Sequence, residues 1–161
     1  MKLATLLALM PLVACGVAAP SASDERSTVF AQTFVSACVE TDARPDRIDR
    51  FATEDSWLKV EDAGDGRTAW TALGGVLGER RLASWVGDVE GTPSNLCMVI
   101  ALGDADDPRL EAGATQRVRY WFFERGGHRN YLEVREALSG DVAGSVSVAL
   151  GVPLNGEGNT Q

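Results

Sequence analysis

Lysine is nearly missing from this 161-residue chain: Lys2 and Lys59 are the only two, and every other basic residue is arginine. Histidine occurs once, at His128, and cysteine three times. Acidic residues outnumber basic ones by 23 to 15, for a formal net charge of −8. That shortage of positive charge argues against a nucleic-acid partner, whose binders neutralise phosphates with clustered Lys and Arg. It also disfavours direct adhesion to an anionic lipid surface. A single histidine speaks against a zinc centre, which takes several nitrogen or sulfur ligands. No GxxxxGK[ST] or GxGxxG string is present to cradle a phosphate, and no serine lies in a nucleophile-elbow pattern. Neither a cofactor nor a metal is called for, and no internal repeat is visible.

Long hydrophobic runs are lacking too. A membrane-spanning helix needs roughly 20 apolar residues, and the apolar stretch Leu3–Val13 is about half that length. It follows Lys2 and gives way to small residues through Ser23, the layout of a cleaved secretory leader. Leu12-Val13-Ala14-Cys15 at its end resembles the bacterial lipoprotein box. That resemblance implies a diacylglyceryl group on Cys15, cleavage that leaves Cys15 as the first residue, and an outer-membrane lipoprotein facing the periplasm, because Gly16 rather than Asp follows. Two anchored acyl chains hold stably where one is marginal. The competing reading is ordinary leader cleavage after Ala19 or after Ser23, which would release a soluble periplasmic or secreted protein. Pro20 suits the first of these cuts poorly, since its ring and missing N–H fit an extended protease subsite badly. On either reading residues 1–23 are leader and the start of a tether, 24–152 one domain, and 153–161 a loose tail.

Export places Cys38 and Cys97 in an oxidising compartment, so a disulfide is expected between them. The rival, a reactive thiol at either position with His128 as base, has no local signature to support it.

Phe30, Phe34 and Cys38 recur at helical spacing within STVFAQTFVSACV, which predicts a helix over 27–39 capped by Ser27 or Thr28. Pro45 opens a second helix over PDRIDRFAT, with Ile48, Phe51 and Ala52 on one face. From there the pattern turns to strands: 57–61, 67–73, 81–89, 95–102, 116–124, 129–138 and 145–152, with GTPSN as the connection at 91–95 and a polar connection over 104–114. Helices first and strands afterwards predict an α+β fold, with two N-terminal helices packed on one face of a mostly antiparallel sheet of about six to seven strands. The disulfide would staple the first helix to the Cys97, Val99, Ala101 side of that sheet.

The most informative stretch is the hairpin around Gly126-Gly127, two residues that accept a positive φ. With these as the loop, Arg125 pairs with His128, Glu124 with Arg129, Phe122 with Tyr131, Trp121 with Leu132 and Tyr120 with Glu133. Trp121, Phe123, Leu132 and Val134 then form a core-like face. The other face gathers Tyr120, Phe122, Arg129, Tyr131, Glu133 and Arg135, the mixture of aromatic residues and arginine that anchors interfaces. Its partner would be another envelope protein, a small ligand or a cell-wall component. The same alternation also describes a merely solvated face with cross-strand pairs. A hydrolase using Glu133 with Glu124 or Glu136 is the second reading; it needs one carboxyl of raised pKa, and Glu136 does not share a face with Glu133. Inhibition of an envelope-attacking enzyme by the tip at Arg125–Arg129 is the third. The acidic strings EDAGDG and DADD lack the spacing of a calcium loop.

Overall fold

The computed structural model describes residues 22–61, 63–64, 66–101, 116–138 and 144–154. Cys15, the 104–114 connection and the tail beyond Leu154 lie outside these residues. Helix α1 (Ala22–Phe34) runs into one wide π turn over Val35–Val39, and α2 spans Pro45–Glu54. Seven strands follow: β1 (Leu58–Val60), β2 (Thr68–Ala72), β3 (Arg80–Val89), β4 (Thr92–Ala101), β5 (Gln116–Arg125), β6 (His128–Ala137) and β7 (Val146–Pro153). They form one antiparallel sheet in the order β1-β2-β3-β4-β7-β6-β5, so the fold is α+β. None of the described helices is long and apolar enough to cross a membrane.

A single apolar cluster holds these elements. Ile48 and Ala52 of α2 join Trp57, Trp70, Leu82, Cys97, Val99 and Leu150, with Phe30 and Phe34 of α1 half-buried against them. By register, Trp70, Leu82, Cys97, Val99 and Leu150 all belong to one side of the sheet. Cys38, in the π turn, is disulfide-bonded to Cys97 of β4 across 59 residues. Thr41 closes the turn by donating from its hydroxyl to Ala37 O at 2.7 Å. Asp42 and Ala43, at φ 54° and 53°, then reverse the chain into α2.

The β5–β6 hairpin has the register expected from its glycines, Phe122 opposite Tyr131 and Tyr120 opposite Glu133. Gly126 and Gly127 sit at φ 62° and 79°, which only glycine adopts cheaply. The tip is docked: Arg125 Nη1 donates to Val39 O at 3.0 Å, and Arg125 Nη2 lies 3.2 Å from Asp42 Oδ1.

The structure corrects four expectations. Helix α1 starts at Ala22, ahead of Ser27 and Thr28 and inside the stretch read as tether; Glu25 falls in its first turn, where the helix dipole favours negative charge. GTPSN is not a connection. Glu90 and Gly91, at φ 49° and 82°, make a two-residue turn, and Thr92 already belongs to β4. Trp121 is not core: it is 47% exposed, because β5 is the edge strand and the buried cluster reaches only Phe123 on it. Finally, Pro153 ends β7, and the Leu154 N–H donates to Pro93 O at 2.9 Å, so these two residues of the expected tail are structured.

Candidate functional site

Strand β7 decides what the second side of the sheet looks like. It runs between β4 and β6 with large side chains at Val146, Val148, Leu150 and Val152 and small ones at Ser147, Ala149 and Gly151. Side chains alternate across a strand, so the small residues all lie opposite the Cys97 side. Their neighbours on that side are large. Leu96 and Met98 of β4 flank Gly151 and Ala149, and Tyr131, Glu133 and Arg135 of β6 flank Gly151, Ala149 and Ser147. A low strand between two tall ones makes a trough. It has a volume of about 510 Å³ and opens to solvent, within the usual range for small-molecule sites.

The backbone comes close where the trough is tightest. A Cβ on Gly151 would stand 3.1 Å from Leu96 Cδ2 and 3.3 Å from Tyr131 Cβ, and one on Gly87 would stand 2.6 Å from Leu96 Cδ1. Glycine on both sides is what lets the Leu96 side chain settle, 7% exposed, at the base of one wall. Trp85, Leu96, Gly151, Tyr131 and Phe122 follow one another across five strands in a single register row, which sets an aromatic rim at each end.

On the β5–β6 side the rim is an aromatic cluster. Phe122 and Tyr131 have ring centroids 5.5 Å apart, and Tyr120 lies 6.4 Å from each. On the β3 side the Arg67 guanidinium stacks on Trp85 at 5.0 Å, an attraction between cation and ring face. Asp88, Val89 and Glu90 close the end near the β3–β4 turn. Asp88 Oδ1 accepts from the Gly91 N–H at 2.7 Å.

Along the β6 wall, Tyr131 Oη donates to Glu133 Oε2 and Arg135 Nε donates to Glu133 Oε1. These three residues occupy alternate positions, so they project side by side. Burial by itself would raise the Glu133 carboxyl. The hydrogen bonds from Arg135 and Tyr131, together with the charge of Arg135, outweigh burial and hold it below its ordinary value. Burial, and then the hydrogen bond to Glu133 and its charge, push the Tyr131 phenol well above its ordinary 10. The hydrogen bond to Glu133 also raises Arg135 further. At neutral pH the wall is therefore a fixed carboxylate held between a neutral phenol and a guanidinium.

Five of the six residues expected to form a recognition face line the trough: Tyr120, Phe122, Tyr131, Glu133 and Arg135. Arg129, the sixth, lines an adjoining hollow of about 310 Å³ that shares Val89, Glu90, Phe122 and Tyr131 with the trough. Its guanidinium sits 4.0 Å from the Phe122 ring centre and 3.9 Å from Glu90. His128 lines the same hollow. The carboxylates do not converge. Glu124 is four residues along β5 from Tyr120, the partner of Glu133, or about 13 Å at a strand's rise. Glu136 has the opposite parity and pairs with Arg117 at 3.2 Å. Among the described residues no group of three or more His, Cys, Asp or Glu could hold a metal ion.

Sequence reasoning missed Arg67, Trp85, Leu96, Met98, Ser147 and Ala149. A usable signal existed for the last two: the residues between Val146, Val148 and Leu150 are all small. Compared with known proteins, the chain matches no family model, no curated protein and no solved structure.

Proposed function

We propose that this protein is an exported envelope domain, anchored by lipid on Cys15, that binds a small ligand or partner in the trough. In this reading the two helices form a layer over the Cys97 side of the sheet, and the opposite side stays uncovered for recognition. The observation that carries the reading is convergence. Five residues singled out from the hairpin sequence line one concavity together with Ser147 and Ala149 of β7. The leader and the disulfide supply the support for export.

The hydrolase reading is weaker. A general acid needs a raised carboxyl pKa, whereas Glu133 is held as an anion. The inhibitor reading needs a free hairpin tip, and Arg125 ties that tip to the turn after α1.

The test uses the full chain with Cys15→Ser, which carries no acyl group at that position. It is titrated with N-phenyl-1-naphthylamine, an uncharged dye that brightens in apolar sites. We expect one saturable site, abolished by Ala149→Trp, which fills the floor of the trough, with the urea midpoint little changed. Dye binding that survives Ala149→Trp rejects the trough. For the anchor, intact mass of the wild-type protein from the membrane fraction should show Cys15 as the first residue with its acyl chains; a chain without them rejects it.

A further inference from the structure

We infer that the trough takes an organic anion with an apolar body, its anionic head on the outer edge of Arg135 and its body along Leu96, Met98 and Ala149. This rests on the binding role proposed above and adds the chemistry of the ligand.

The argument starts from the asymmetry of the trough along its length. At one end Arg135 and Ser147 are direct cross-strand neighbours on β6 and β7, and both line the cavity. At the other end stand Asp88 and Glu90. At the second end the Arg129 guanidinium already faces Glu90 at 3.9 Å, whereas Arg135 at the first keeps donors free for an anionic head, so a ligand with one head and one tail enters in one orientation.

Arg135 is also prepared for such a head. Its Nε is committed to Glu133, and among the described residues its two Nη nitrogens have no hydrogen-bond partner. The planar guanidinium fork matches a carboxylate or sulfonate with two parallel hydrogen bonds. Glu133 in turn is fixed on its second oxygen by Tyr131. Because that phenol keeps its proton, it donates rather than repels. Glu133 and Tyr131 are thus positioning residues: they hold the arginine so that little side-chain freedom is lost when the head arrives.

The remaining lining is apolar or aromatic. Leu96 and Met98 form the wall facing Tyr131 and Glu133 across β7, next along the trough from Arg135; Ala149 lies on the floor, and Phe122 and Tyr120 stand at the rim. Arg67, on the far rim over Trp85, has no carboxylate partner among the described residues and adds a second positive charge.

The experiment compares two dyes of one skeleton on the Cys15→Ser chain with its disulfide intact. The first is N-phenyl-1-naphthylamine; the second is 8-anilino-1-naphthalenesulfonate, which adds an anionic head. The sulfonate should bind more tightly than the neutral dye. Arg135→Met should weaken the sulfonate about tenfold or more and leave the neutral dye within about twofold. Glu133→Gln should weaken the sulfonate selectively but less. A residue with only a structural role would move both dyes together. Dodecanoate should displace the sulfonate dye, and dodecyltrimethylammonium should not.

Equal affinity for the two dyes, an Arg135→Met variant that keeps full sulfonate binding, or displacement by the cationic surfactant overturns the anion assignment. It does so while neutral-dye binding that is sensitive to Ala149→Trp still stands. Loss of that sensitivity instead strikes the trough itself. Urea midpoints for each variant separate lost binding from lost fold.

Discussion

The two sides of β7 do opposite jobs with the same seven residues. Val146, Val148, Leu150 and Val152 point one way, and Leu150, 1% exposed, belongs to the central cluster beside the disulfide. Ser147, Ala149 and Gly151 point the other way and leave room. Large residues on a strand fill space and stabilise the fold. Small residues flanked by large neighbours create a hollow without loosening anything beneath it. The comparison teaches that a concavity can be carved by what a strand omits, because the opposite parity of the same strand supplies the anchorage.

The largest expected effect is on the filled side. Replacing both Cys38 and Cys97 by alanine should destabilise the protein by about 4 kcal/mol, from the closure entropy of so long a loop. Urea unfolding of the oxidised wild type and the double variant measures it. A loss under about 1 kcal/mol would mean that the apolar cluster holds the sheet without the covalent link. Next comes a contrast within β7. Leu150→Ala should cost about 3 kcal/mol, as a buried leucine leaving a cavity, while Ser147→Ala on the trough side should stay within about 1 kcal/mol. Equal costs would break the comparison. The smallest effect is electrostatic. Glu133 is held below its ordinary pKa, so its stabilisation is present above the unfolded value near 4.5 and is lost as pH falls through the folded value. Glu133→Gln should lower stability modestly at neutral pH and converge on the wild type as pH falls, flattening the profile below about pH 4.5. An unchanged acid slope would mean that the Tyr131–Glu133–Arg135 wall is not coupled to folding.

How much of this could be read in advance depended on range. The hairpin register was legible because Gly126-Gly127 fixes it locally, and every pair named from it holds. The cysteine partnership was legible because Cys38 and Cys97 are the two cysteines that follow the expected leader. The start of α1 was not, since ASDER carries no apolar stripe and its helicity continues that of the following turns. GTPSN misled because a Pro-containing polar string imitates a loop, whereas the turn is made by Glu90 and Gly91 alone. The trough was hidden for a deeper reason. Its floor comes from β7, its walls from β4 and β6, and one rim from β2–β3 residues, and only the pairing of β4 with β7 brings them together. Parity along each strand was visible, but strand order was not.

That strand order also sets the calibre of the slot. Its walls stand on β4 and β6, with one strand between them, so their backbones are two ladder spacings, about 9.5 Å, apart. Main-chain hydrogen bonds fix that separation, and no side-chain replacement can widen it. The slot follows β7 lengthwise and is closed near the β3–β4 turn by Asp88, Val89 and Glu90. Substitutions along the two flanking strands therefore change the lining and the free width of the slot while its backbone spacing stays constant.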